Sequence, residues 1–130
     1  MMKDNIRVGI VSSTNPEKNT VRVTFPDEDN LVSSELRILQ RGGVKNRDYW
    51  MPDVDDEVVC IFPTNDENFC DGFVIGCLFN EKSPPNAQSQ DVQRKDFSDG
   101  SYFEFNRASG NLTINCKGVL TLKASRINLN

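Results

Sequence analysis

The 130-residue chain contains no histidine, a single tryptophan and two tyrosines, and its four cysteines, at 60, 70, 77 and 116, never form a Cys-x-x-Cys pair. Without histidine, the usual serine or cysteine relay to an imidazole cannot be assembled. Without close cysteine pairs, the ligand pattern of a structural zinc site is missing as well. Cys60 and Cys77 sit inside the apolar runs Val-Val-Cys-Ile-Phe and Ile-Gly-Cys-Leu-Phe and read as small buried hydrophobes. Carboxylates do cluster, at 27–29 and 53–57, but each cluster falls in a turn and lacks the Asp-x-Asp-x-Asp-Gly order of a calcium loop. The expectation is a protein with no cofactor, no metal and no catalytic residues: not an enzyme.

Long apolar runs are missing too. The N-terminal Met-Met-Lys-Asp-Asn has no leader-like hydrophobic stretch, and no run approaches the ~20 residues of a membrane helix, so a chain made soluble in the cytoplasm is expected. Helical apolar spacing is confined to a turn or two around residues 34–40, where 36–39 reads equally as a strand. Charge of either sign is unevenly spread. Residues 1–80 carry 8 basic and 14 acidic side chains, net −6, whereas residues 81–130 carry 7 and 5, net +2. An acidic front half repels phosphates, so the electrostatic footprint of a nucleic-acid binder is absent. An OB-type nucleic-acid-binding protein is the alternative that this balance disfavours, as does the placement of most phenylalanines at core parity.

What is present is strand-forming. Residues 6–12 alternate before a turn at Thr14-Asn15-Pro16, and residues 19–25 place Val21, Val23 and Phe25 on one face. Further strands are expected at 36–39, 57–62 and 72–78, with a polar turn over 64–70. Five short strands punctuated by glycine and proline suit a small closed barrel of the OB type over residues 1–80. Residues 81–95, with two prolines and few apolar side chains, have the composition of an extended linker.

Residues 96–130 change character again. Phe103 and Phe105 share one parity, as do Leu112, Ile114 and Cys116, then Leu120, Leu122 and Ala124, then Ile127 and Leu129. Turns at 99–100, 109–110, 117–118 and 125–126 recur about every 8–10 residues, a crude internal repeat. Four two-faced strands offer one apolar stripe and nothing to cover it. Three copies wound about a common axis would bury that stripe and pair each edge with a neighbour, so a homotrimer with these ten residues as its core is expected.

Three stretches in order carry a family resemblance. The opening Ile-Arg-Val-Gly-Ile-Val and the later Arg-Val-Thr-Phe-Pro-Asp resemble the start of phage baseplate assembly protein V and VgrG-type spike proteins. Residues 49–62 are similar to the family's W-x-P-x-V-G-D-x-V-x-V-x-F, and residues 72–80 look like the strand that closes its OB barrel. The resemblance implies an all-β chain: an OB barrel that docks on a baseplate hub, then a trimeric intertwined β-helix forming a membrane-piercing needle. It implies residence at the baseplate centre of a virion or phage-tail-like particle, assembled in the host cytoplasm. Trp50 and Pro52 are candidates for the hub contact; on the plainer reading Trp50 packs over one barrel end and Pro52 fixes a turn. Lys117, Lys123 and Arg126 would either touch phospholipid headgroups transiently or keep the needle soluble. Two departures stand out. Asp55 replaces the family's usual glycine, which asks an aspartate to take a left-handed turn conformation. The iron-holding histidines found at the apex of several relatives have no counterpart, so a separate PAAR-type tip protein is expected, the alternative being a tail that caps itself through its last residues.

Overall fold

The computed structural model describes residues 5–63 and 71–130 and divides into two compact units, Met1–Pro84 and Pro85–Asn130. The expected turn over 64–70, including Cys70, lies outside the described residues.

The first unit holds strands β1 (Ile6–Asn15), β2 (Thr20–Phe25), β3 (Leu31–Val32), β4 (Leu36–Ile38), β5 (Arg41–Gly42), β6 (Arg47–Asp48), β7 (Glu57–Ile61) and β8 (Phe73–Leu78). Five of them close on themselves in the order β1-β7-β8-β4-β2, with β2 returning to β1. Every pairing in this ring is antiparallel except β4 with β8, where Arg37 lies opposite Phe73 and Ile38 opposite Val74. One parallel pair is what lets a five-stranded sheet close into an OB-type barrel. The 34–40 window is strand rather than helix, because Leu36 and Ile38 both bury their side chains from a strand flanked by β2 and β8.

The core is read off the alternation: Val21, Val23 and Phe25 from β2, Val58 and Cys60 from β7, Leu36 and Ile38 from β4, Val74 from β8, with Val11 and Phe62. Phe25 and Phe62 meet edge to face with centroids 5.9 Å apart. Other phenylalanines do not follow them inward. Phe79 and Phe97 are 72% and 52% exposed, so core parity describes only some of the eight.

β1 runs through Thr14 and Asn15, past the expected turn, because an extra residue at Ser12 bulges the β1–β2 ladder and carries the pairing on to Asn15 opposite Thr20. The entry into β7 is the turn that holds Asp55, at φ +78°. The aspartate does take the left-handed conformation, fixed by its N–H donating to Val11 O at 2.9 Å and by Val11 N–H donating to Asp56 O at 2.9 Å.

The second unit is a three-stranded antiparallel sheet of β9 (Val92–Asp96), β10 (Tyr102–Asn106) and β11 (Asn111–Asn115), with β10 central. Residues 92–95 had read as the end of a linker, yet Val92–Asp96 is a paired strand. Its Arg94 supplies the reason, forming ion pairs that a composition-based reading does not weigh. Residues 116–130 form no strand within the chain, so the third and fourth tail strands expected from parity are not made by one copy.

Gly9 marks the tightest approach in the barrel: a Cβ there would lie 2.5 Å from Val23 Cγ1, 2.7 Å from Thr24 O and 2.9 Å from a Phe25 ring carbon. Gly9→Ala should therefore cost about 1–3 kcal/mol through overpacking, read as a lower urea midpoint at unchanged slope. Gly43→Ala, where a Cβ meets nothing within 4 Å, serves as the control and should leave the midpoint within experimental scatter.

Candidate functional site

The β9–β11 sheet has two unlike faces. On one, Arg94 Nη1 donates to Glu104 Oε1 at 2.9 Å, its Nε donates to Asp96 Oδ1 at 2.8 Å, and its guanidinium lies 3.8 Å from the Tyr102 ring centroid. Planar stacking combined with two carboxylate partners suits arginine and not lysine. This polar face is closed by the chain itself.

The other face is not. Cross-strand register sets Phe103 opposite both Ile114 and Lys95, and Phe105 opposite both Leu112 and Gln93. Directly opposed residues share a face, so the four apolar side chains predicted from parity are indeed brought together. They remain 40–57% exposed. Beyond β11 the exposure continues: Leu120, Leu122 and Ile127 are more than half exposed, Leu129 is 92% exposed, and Cys116 and Ala124 are also exposed. Val119, which parity reading did not single out, is exposed as well. Single exposed apolar residues are ordinary on a soluble protein; a dense series of them within one short segment marks an interaction surface.

Trp50 and Pro52 sit elsewhere. Pro52 is fully buried in the barrel unit and so offers no side-chain surface to a partner. Trp50 is half-buried against the core, and its indole N–H donates to Leu39 O at 2.9 Å. Gln40 completes a clamp: Trp50 N–H donates to Gln40 Oε1 at 3.0 Å, while Gln40 Nε2 donates to Trp50 O at 3.0 Å and to Asn19 Oδ1 at 2.7 Å. The clamp holds the base of the β5–β6 hairpin, an element that the sequence reading did not place. Its signal was available in Arg-Gly-Gly-Val-Lys-Asn-Arg-Asp, a glycine-centred turn between charged residues.

Two of the groups considered for catalysis or metal binding lie together at the turn into β7. Asp56 Oδ2 accepts the Asp53 N–H at 2.8 Å, and Cys77 Sγ lies 3.9 Å from the same carboxylate. Among the described residues, no group of three or more cysteine and carboxylate side chains is disposed to hold a metal ion. Cys60 is buried as expected. Cys77, expected to be buried, is exposed: it lies opposite buried Val58 but one pair from the end of the ladder, which stops at Glu57 opposite Leu78.

The closed barrel and its sequence agree on a family. The chain matches the Type VI secretion system/phage-baseplate injector OB domain over residues 7–79, more than half its length. It belongs to that family. The matched span starts at Arg7 in β1, whose guanidinium pairs with Glu28 at 2.9 Å beside the Phe25-Pro26-Asp27 corner, and ends just after β8. The injector OB domain thus accounts for the barrel, and the uncovered β9–β11 face lies outside the match. No curated protein matches the chain.

Burial pushes the Cys60 thiol up to about 12; Cys77, though its surface is exposed, is pushed up to about 11 by partial desolvation of its sulfur and by the neighbouring Asp56 charge. Both stay protonated near neutrality, where the thiolate is the reactive form. At pH 8, iodoacetamide should spare Cys60 in the native protein and label Cys77 more slowly than an ordinary exposed thiol. Labelling of Cys77 should speed up on raising the pH toward 11, and severalfold at pH 8 in Asp56→Asn, followed by intact-mass spectrometry.

Proposed function

We propose that this injector OB-domain chain is the central spike subunit of a contractile phage tail or a related injection machine, and that it works mechanically rather than as an enzyme. Three copies wind their residues 96–130 together into an intertwined β-prism, the membrane-piercing needle, while the barrels dock on the baseplate hub. The observation that carries this reading is the exposed apolar series from Phe103 to Leu129, in which residues 116–130 have strand-like alternation and no strand partner among the described residues.

Closure by three copies supplies both missing items at once. Apolar side chains from each copy fill a common axis, and the open backbone of residues 116–130 finds ladder partners on a neighbour. Stiffness follows from shared strand pairing, which is what a needle driven by sheath contraction needs. Lys117, Lys123 and Arg126, all exposed, then face outward, where they keep the needle soluble and meet lipid headgroups only in passing. With no histidine to build an iron-holding apex, a separate PAAR-type protein is the favoured cap.

Sedimentation equilibrium tests the reading. The full chain should have about three times its 14.7 kDa mass at micromolar concentration, and residues 1–84 alone should be monomeric. Ile114→Asp, which would place a charge on the apolar axis, should convert the trimer to lower-mass species. A monomeric full-length protein would remove the basis for the spike.

A further inference from the structure

The β5–β6 hairpin contributes nothing to the barrel core, yet it is built to a fixed shape. Its base is held by the Trp50–Gln40–Asn19 clamp. Its tip is braced from inside: Arg47 Nε donates to Gly43 O at 2.9 Å, Arg47 Nη2 donates to Val44 O at 3.1 Å, and Gly43 N–H donates to Asn46 O at 2.9 Å. Gly42, at φ +98°, is held to glycine because a Cβ would lie 2.2 Å from Asn46 O. This brace displays Val44, 86% exposed, between the exposed cations Arg41 and Lys45. Three of the eight basic residues in positions 1–80 fall within 41–47, so the hairpin is a cationic point on an otherwise acidic barrel. Arg41 and Lys45 pair with no carboxylate among the described residues.

The same barrel carries a surface of opposite character. At the turn into β7, Val54 is half-exposed between exposed Asp53 and Asp55, with Asp56 and Glu57 following. That turn is rigid too, through Asp56 N–H donating to Asp53 O at 3.1 Å and the Val11 contacts of Asp55 and Asp56. Each surface is an exposed valine flanked by charges of one sign, and the signs are opposite.

We propose that the β5–β6 hairpin of one copy docks on the 53–57 turn of the next copy, so that three barrels close into a ring by three identical head-to-tail contacts. This rests on the trimeric spike reading. Different patches on the two sides of a contact make it heterologous, and such contacts either close as a ring or run on as a filament. The three-fold needle enforces closure. Surface ion pairs of this kind are individually weak. Tethering by a common needle makes the contact intramolecular, at an effective concentration of order millimolar, so a weak contact is populated and sets the rotational position of the barrels. The occupant is a second copy because both complementary surfaces belong to this chain, whereas an acidic partner of another kind would leave the 53–57 turn unmatched.

Zero-length carbodiimide coupling of the full-length protein tests this, since it joins a lysine amine to a carboxylate only when the two are in contact. The expected result is covalent dimer and trimer on a denaturing gel, with a peptide linking Lys45 to Asp53, Asp55, Asp56 or Glu57. The link should disappear in Lys45→Arg, which keeps the charge but not the amine, and should weaken at high salt. A protein of trimeric mass whose Lys45 yields no inter-chain link to the 53–57 turn overturns the ring contact and leaves the spike standing. A protein of monomeric mass overturns both.

Discussion

Three strands of five residues offer two faces and two outer edges, and the β9–β11 sheet closes only one of these faces for itself. Arg94, Glu104, Asp96 and Tyr102 satisfy one another on the polar side. Phe103, Phe105, Leu112 and Ile114 remain 40–57% exposed on the other. Burial of a large apolar side chain is worth about 1.5–3 kcal/mol, so leaving such a row in water is a persistent drive toward association. The remaining features of the tail follow from it: regular spacing of turns, alternation kept up beyond β11, and polar side chains at the intervening positions.

The barrel is organised on the opposite principle, complete closure within one chain. The ring β1-β7-β8-β4-β2 leaves no unpaired edge among its five strands, and ten buried side chains fill it. Closure at this size brings strands together so tightly that Gly9 must lack a side chain. It also requires bulges, at Ser12 in β1 and between Val74 and Gly76 in β8, to bend the strands round. A barrel that is closed within its chain, followed in sequence by a sheet that is not, matches the division of labour in the proposed spike: one unit to dock, the other to assemble.

How much of this was legible in the sequence depends on the range of the forces involved. The barrel strands were readable because alternation such as Val21, Val23 and Phe25 is local and each strand buries one face in its own chain. The shared parity of Phe103 with Phe105 and of Leu112 with Ile114 was readable because alternation along a strand is local; their cross-strand register was not part of that pattern. The Val92–Asp96 strand was not, because it is held by an arginine stack and ion pairs rather than by apolar pattern. Cys77 was misplaced because its apolar neighbours say which face it joins but not that the ladder ends one pair later. The β5–β6 hairpin left a turn signal in Gly42-Gly43 but none for the strands beside it, because its order comes from the Arg47 side chain donating to the Gly43 and Val44 carbonyls and from the Trp50–Gln40 clamp rather than from apolar alternation. Residues 116–130 are the instructive case. Their pattern asks for strands, and the described residues of one chain supply no partners for them.

Amide hydrogen exchange across residues 117–129 of the intact protein addresses that case most directly. If three copies share their tail strands, these amides will be protected to a degree comparable with those of β10, although no hydrogen-bond ladder within the chain covers them. Exchange at the rate of an unstructured peptide, in a protein whose β10 amides are protected, would contradict the intertwined needle.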